Sequence, residues 1–337
     1  MNVSEYRKEY LEKLEKEAEE RPSFRDFLDN VRSKKRGLEN LTLTDDSARL
    51  DDVGDAVDIV RDGGEDVEVR IQALNGMVYE IAQREDLIDL LLELLRSEDE
   101  PEKIRIAALS ALQLSEFISA VFPGKRPQYL EILRNIIGHE KCRELCQQAI
   151  GVLAKFKDGY VQERLLKGLR HEAAALVSPE KAIQLLGYDI RSEYFPVLQD
   201  IIKEPPNLLA KNEAVRLLAA DAESKNLLSE ILQDKGEHRR VRQTSAIALQ
   251  SLDPAEFEDQ AEQIIFDDDD YEDIRATCIN ALEDSPAANT RSGTENLLAI
   301  TDDRRRGLLE KIEQLRETAS SKELKKVTKR YISKHKK

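Results

Sequence analysis

The chain has no tryptophan, and aromatic residues make up only 5% of its 337 positions. A β-sandwich core draws on aromatic and β-branched side chains, so this shortage argues against one. Cysteine is also scarce. Cys142, Cys146 and Cys278 are too few, and odd in number, for a disulfide framework. No apolar run approaches the length of a membrane span, and the first twenty residues carry no apolar signal core. A reducing cytoplasmic setting with no membrane partner is the expectation. Positive charge is in deficit: the formal net charge is −15, which opposes nucleic acid or anionic lipid over most of the surface. No G-x-S-x-G, P-loop or G-x-G-x-x-G occurs. The histidines (His139, His171, His238 and His335) have no serine or cysteine partner visible in the sequence.

What is present is apolar residues at 40% and charged residues at 35%, with Ala, Leu, Ile, Glu, Lys and Arg dominant. That balance supports a folded, helical chain. One template recurs: an aliphatic residue followed by Arg, a small residue four positions after the aliphatic one, then a pair at seven and eight. Its copies begin at Val69-Arg70, Ile104-Arg105, Cys142-Arg143, Ser178-Pro179, Ala210-Lys211, Val241-Arg242 and Ile274-Arg275. The fourth lacks the Arg but keeps Ala182 and Leu185-Leu186. The apolar positions fall on one face of an α-helix. A second helical stretch lies between copies, so each repeat reads as a helix pair. Pro101, Ser178-Pro179 and Asp253-Pro254 stand where helices should start.

Asp66-x-x-Val69-Arg70-x-x-Ala73 and its successors resemble the second helix of HEAT repeats over about residues 48–285. The resemblance implies an all-α, right-handed α-α superhelix, a HEAT-like solenoid of about seven helix pairs. Residues 1–46 are expected to form an N-terminal cap and linker, 47–284 the repeat array, and 285–337 a C-terminal cap with a basic tail. The capping helices are placed at 3–20, 23–39, 304–317 and 321–334, with Ser320 and Glu323 as a capping box for the last. Linkers are placed at 40–47 and 284–294. In the family, the Asp before the motif and the Arg tend to form a ladder between repeats. That Asp is kept at Asp66, is Asn207 in the fifth copy, and is replaced by Pro101, His139, His238 and Tyr271 elsewhere. The ladder is therefore expected to be discontinuous.

HEAT second helices usually line the concave surface. Positions five after the Arg then form an outward column: Asn75, Ser110, Gln148, Gln184, Arg216, Ile247 and Asn280, with Glu144, Asn212 and Gln243 one position after the Arg. Mostly uncharged polar residues suit a protein ligand better than phosphates. Charge is segregated elsewhere. Residues 45–68 and 253–273 are acidic, whereas 304–337 carry a net charge of +9. The basic tail, with Lys325, Lys326, Lys329 and Arg330, could dock on nucleic acid, an acidic protein or another copy of the chain.

His139, Cys142 and Cys146, at i, i+3 and i+7, share one face of a continuous helix and could in principle hold zinc, but both cysteines occupy small or aliphatic template positions. His139-Glu140 and His171-Glu172 resemble the dyads of deoxyhypusine hydroxylase, which has four such dyads where this chain has two. The E/F-type phycobilin lyases are architectural cousins. HEAT-like alkylpurine DNA glycosylases use aromatic residues and a basic surface that this sequence lacks. The reading is a non-enzymatic protein-binding scaffold with no metal, cofactor or small-molecule substrate. A HEAT-fold enzyme or lyase is the alternative, and nucleic-acid binding through the tail a second.

Overall fold

The computed structural model describes residues 45–81, 83–139, 142–283 and 295–336. Among them it is all-helical, with no strand. The expected helices at 3–20 and 23–39, and the linker at 284–294, lie outside the described residues. The other linker does so only in part, because residues 45–47 belong to the first described helix. The chain divides into two compact units, Met1–Leu153 and Ala154–Lys337, and each is described by itself.

In the first unit, α1 (Asp45–Arg61) packs on α2 (Val67–Gly76), the short α3 (Val78–Ile81) leads to α4 (Glu85–Arg96), and α4 packs on α5 (Glu102–Ile118). Next come α6 (Phe122–His139) and α7 (Arg143–Lys155), within whose last turn the unit boundary falls. Second helix contacts second helix (α2 with α5), and first contacts first (α4 with α6). The reason is visible in α4, EDLIDLLLELLR, which buries Leu87, Ile88, Leu90, Leu91, Leu92, Leu94 and Leu95. A helix apolar on so wide an arc must be covered on several sides at once. Glu85 and Asp86 stand in the first turn and Arg96 in the last, as the helix dipole favours.

The second unit holds α8 (Gly159–Arg170), α9 (Pro179–Leu186), α10 (Phe195–Lys203), α11 (Leu208–Leu217), α12 (Lys225–Gln233), α13 (Arg239–Leu252), α14 (Pro254–Ile265), α15 (Glu272–Glu283), α16 (Glu295–Thr318) and α17 (Lys322–His335). The second helices touch in series: α9 with α11, α11 with α13, α13 with α15, α15 with α17. Small residues allow the approach. Ala182, Ala214, Ser245 and Cys278 are all buried, and Ser245 Oγ donates to the Leu228 carbonyl at 2.6 Å.

Two findings refine the repeat. The residue four before the motif Arg is a helix N-cap. Asp66 accepts from the Glu68 and Val69 amides, Asn207 from Ala210, and the His238 ring nitrogen from Arg240, satisfying donors a helix start leaves open. The carboxylate that meets the Arg of the preceding repeat is one residue earlier. Arg70 pairs with Glu100 at 2.8 Å, Lys211 with Glu237, and Arg242 with Asp270 at 2.6 Å. The ladder expected from the N-cap aspartate is therefore built from its neighbour. It is interrupted, since Gly138, Ala174 and Pro206 occupy that position in the third, fourth and fifth repeats.

Each buried motif Arg has a second task. Nε of Arg70, Arg105, Arg242 and Arg275 donates to the carbonyl ten residues back, those of Val60, Leu95, Leu232 and Ile265. The guanidinium closes the end of the first helix of its own pair, where carbonyls lack helical partners. Arg143 departs from this pattern and is exposed. There Cys146 Sγ lies 3.7 Å from the Ile136 carbonyl, also ten residues back. In the fourth copy, which lacks the Arg, α9 starts late: its N-cap is Ser178, and residues 175–178, where the template places the N-cap and first turn, are not helical.

An eighth copy, not anticipated from the sequence, closes the second unit. Leu324, Thr328, Tyr331 and Ile332 of α17 are buried at the template positions. The N-cap of α17 is Ser321, whose side chain accepts from the Leu324 amide at 3.0 Å. This corrects the Ser320–Glu323 capping box, because Ser320 is turned to Glu272 of α15, donating from N at 3.1 Å and from Oγ at 2.7 Å.

Candidate functional site

The column five residues after each motif Arg sits on the side of the second helix away from the buried seam. In the first unit Asn75 and Ser110 are exposed and Gln148 is half-buried. Glu144 is exposed and accepts from the Gln148 amide at 3.4 Å. In the second unit Gln184, Arg216 and Ile247 are exposed, while Gln243 and Asn280 are half-buried. Asn212 differs: it is buried, and its Oδ1 accepts from Thr244 Oγ1 at 2.7 Å. It ties α11 to α13 and presents nothing to a ligand.

Within the second unit the column is continuous from helix to helix at its end. Arg330, five after Lys325 of the eighth copy, donates from Nη2 to Asn280 Oδ1 at 2.6 Å. Its Nε also donates to Glu283 at 2.7 Å, and Lys334 lies 3.5 Å from the same carboxylate. The basic tail is thus partly absorbed by its own neighbour. Lys325, Lys326 and Lys329 remain exposed. Arg216 keeps one contact, to Glu213 at 2.8 Å along its own helix. Between these cations stands Ile247, an aliphatic side chain 56% exposed in a column of otherwise polar residues.

The acidic run 253–273 is largely spent on structure. Asp253 caps α14 and pairs with Lys225 at 3.2 Å. Those contacts, the Glu256 amide first, hold its carboxyl below the usual range. Asp267 meets Lys235 at 2.6 Å, and that hydrogen bond lowers its carboxyl likewise. Asp268 meets Arg275, Asp270 meets Arg242, and Asp273 meets Arg239.

His139 ends α6 and α7 opens at Arg143, so His139, Cys142 and Cys146 do not share one continuous helix. The His139 ring is engaged with the Asn135 carbonyl at 3.2 Å, and Cys142 Sγ accepts from the Leu145 amide. Glu140 of the first His-Glu dyad lies outside the described residues. His171 is exposed ahead of the turn that Glu172 opens. No group of three His, Cys, Asp or Glu stands close enough to hold a metal ion among the described residues. None of their helices is long and apolar enough to cross a membrane.

Comparison with protein-family models and with curated proteins finds no match to the chain.

Proposed function

We propose that the chain is a non-enzymatic, protein-binding scaffold whose helix pairs stack as HEAT-like solenoid repeats, and that its binding surface is the exposed face of the second helices. The observation that carries this reading is Ile247. It is 56% exposed on a helix whose apolar template positions, Val241, Ala248 and Leu249, are buried. Packing within the helix pairs does not use this side chain, whereas burial against a partner would remove it from water at about 25 cal/mol per Å². Gln184, Arg216 and Gln243 surround that position in the template with groups able to bond a partner's backbone and side chains. The charged pairs elsewhere serve the ladder and the caps, which favours a structural role over chemistry for them. A cytoplasmic setting belongs to the same proposal.

The test is affinity capture with the full chain and with a Gln184→Lys, Arg216→Glu, Ile247→Asp variant. The expected result is a protein retained by the wild type and lost by the variant, with unchanged circular dichroism and melting. A partner retained equally by both removes the second-helix face from the reading.

A further inference from the structure

We propose that the second-helix face of the second unit takes an extended acidic peptide carrying one aliphatic side chain between two carboxylates. The proposal rests on the protein-binding reading above and names the ligand class of that same face.

Charge is the first argument. The chain carries 67 acidic against 52 basic residues, yet this face offers cations at both ends. At one end is Arg216 on α11. At the other are Lys326 and Lys329 on α17, one and four positions after the Lys that stands in the motif Arg position. Of the acids near them, Glu213 is bonded to Arg216 through Nε and Glu283 to Arg330, while Glu323 stands exposed three residues before Lys326. Lys326 and Lys329 are exposed, and their ammonium groups make no hydrogen bond or ion pair with any described residue. Repulsion from acids elsewhere on the molecule is screened beyond about 8 Å at physiological salt. A carboxylate that reaches these side chains therefore meets the local sign of charge.

Spacing is the second argument. α11, α13, α15 and α17 are in serial contact, and packed helices stand about 9 Å apart. Ile247 on α13 is one such step from Arg216 and two from the lysines. An extended peptide advances about 3.3 Å per residue. The steps then correspond to about three residues from the first carboxylate to the aliphatic side chain, and about six from there to the second. Between the ends the face is uncharged at Gln243, Ile247 and Asn280. A nucleic-acid strand places a phosphate at every nucleotide and would leave those over the gap unpaired. A peptide can leave the gap neutral.

The probe is a fluorescein-labelled Gly/Ser peptide of twelve residues with Asp, Leu three residues on and Asp six further on, titrated with the full chain by anisotropy. The same peptide with both Asp replaced by Lys, and with Leu replaced by Ser, are the controls. The acidic peptide is expected to bind at least tenfold tighter than the Lys peptide, and the Ser peptide in between. Ile247→Asp, and separately a Lys326→Glu, Lys329→Glu variant, are expected to lose at least tenfold while melting like the wild type. Equal affinity for the acidic and Lys peptides overturns the proposal. So does wild-type binding by Ile247→Asp, or displacement of the peptide by an oligothymidylate of the same length at lower concentration. If no peptide binds while capture of a partner still depends on Gln184, Arg216 and Ile247, the ligand class is wrong and the face stands. If both experiments are silent, both readings fall.

Discussion

Arg242 and Asp270 meet as a two-point ion pair, with Nη1 and Nη2 donating to the two carboxylate oxygens at 2.7 and 2.6 Å and both side chains almost wholly out of solvent. They join α13 to the turn before α15, while Arg242 Nε holds the Leu232 carbonyl. Removing one partner of a buried pair strands the other charge, at a cost of about 3–5 kcal/mol. Asp270→Ala should therefore lower stability to denaturant by about that amount. Replacing both residues together by Met and Leu should cost less than Asp270→Ala alone. Glu68→Ala, which breaks the exposed Glu68–Lys103 pair, should stay within about 0.5 kcal/mol. Equal losses at Asp270 and Glu68 would mean that the ladder contributes nothing beyond surface pairing.

Two buried tyrosines have opposite expectations. Tyr194 donates its hydroxyl to Gln162 at 2.9 Å, joining α8 to the turn before α10. Tyr129 is fully buried edge-on to Phe122, and its hydroxyl has no hydrogen-bond partner among the described residues. Burial, aided by nearby Glu116, pushes its ionisation well above the ordinary tyrosine value. An unpaired buried hydroxyl carries a desolvation cost that Phe would not. Tyr129→Phe should be neutral or stabilising by up to about 1 kcal/mol, and Tyr194→Phe destabilising by about the same amount. Paired denaturation curves check both, and a loss at Tyr129→Phe would reveal a partner for that hydroxyl.

The helix pairs were legible because their periodicity and small residues are local. Val241, Ser245, Ala248 and Leu249 announce one buried face without knowledge of anything across it. The ladder was misplaced by one residue for a physical reason. Glu237-His238 puts two polar residues side by side. Only geometry distinguishes the one that folds back onto its own helix from the one that precedes it and reaches the preceding repeat. The same ambiguity put the last cap at Ser320 when Ser321 takes it. Asn212 was read as outward because one position after the Arg lies near the edge of the buried seam. Thr244, on another helix, decides the matter. The eighth repeat is hard to read from the sequence because Thr328 and Tyr331 stand where smaller residues and Gly, Ala or Leu stand elsewhere, and it begins 50 residues after the seventh copy. The outward place of Ile247 was legible from its spacing, five residues after the motif Arg, and its side chain is exposed.

The three cysteines should differ in reactivity. Burial pushes the Cys278 thiol up to about 12, with Asp270 adding to the effect, so little thiolate forms near neutral pH and the sulfur is shielded from reagent. Cys146 is half-buried. Iodoacetamide at pH 8 should modify Cys146 in the folded chain and spare Cys278, with all three reacting in concentrated denaturant. Peptide mass spectrometry reads the outcome. Modification of Cys278 at the rate of Cys146 would mean that the α13–α15 seam opens under native conditions.

Docking of the last repeat should depend on pH through Glu272. Its carboxylate accepts from Ser320 N and Oγ, and these bonds, the side-chain one first, hold its titration below the ordinary glutamate value. A carboxyl lowered in the folded state binds its proton more readily when unfolded. Its stabilising contribution is thus complete above the unfolded value of about 4.3 and is lost as pH falls through the lower folded one. Asp253 and Asp267 are lowered too, so the melting temperature of the wild type should fall as pH drops from 5 to 3. Glu272→Gln cannot titrate, and its own melting temperature should fall less over that interval, although it starts lower at pH 7. Ser320→Ala, which removes the Oγ donor, should also flatten the profile, whereas Ser321→Ala should cost about 1 kcal/mol through the lost cap. If the wild type and Glu272→Gln gave parallel profiles, the acid sensitivity would belong to the other carboxylates and the α15–α17 contact would hold without this one.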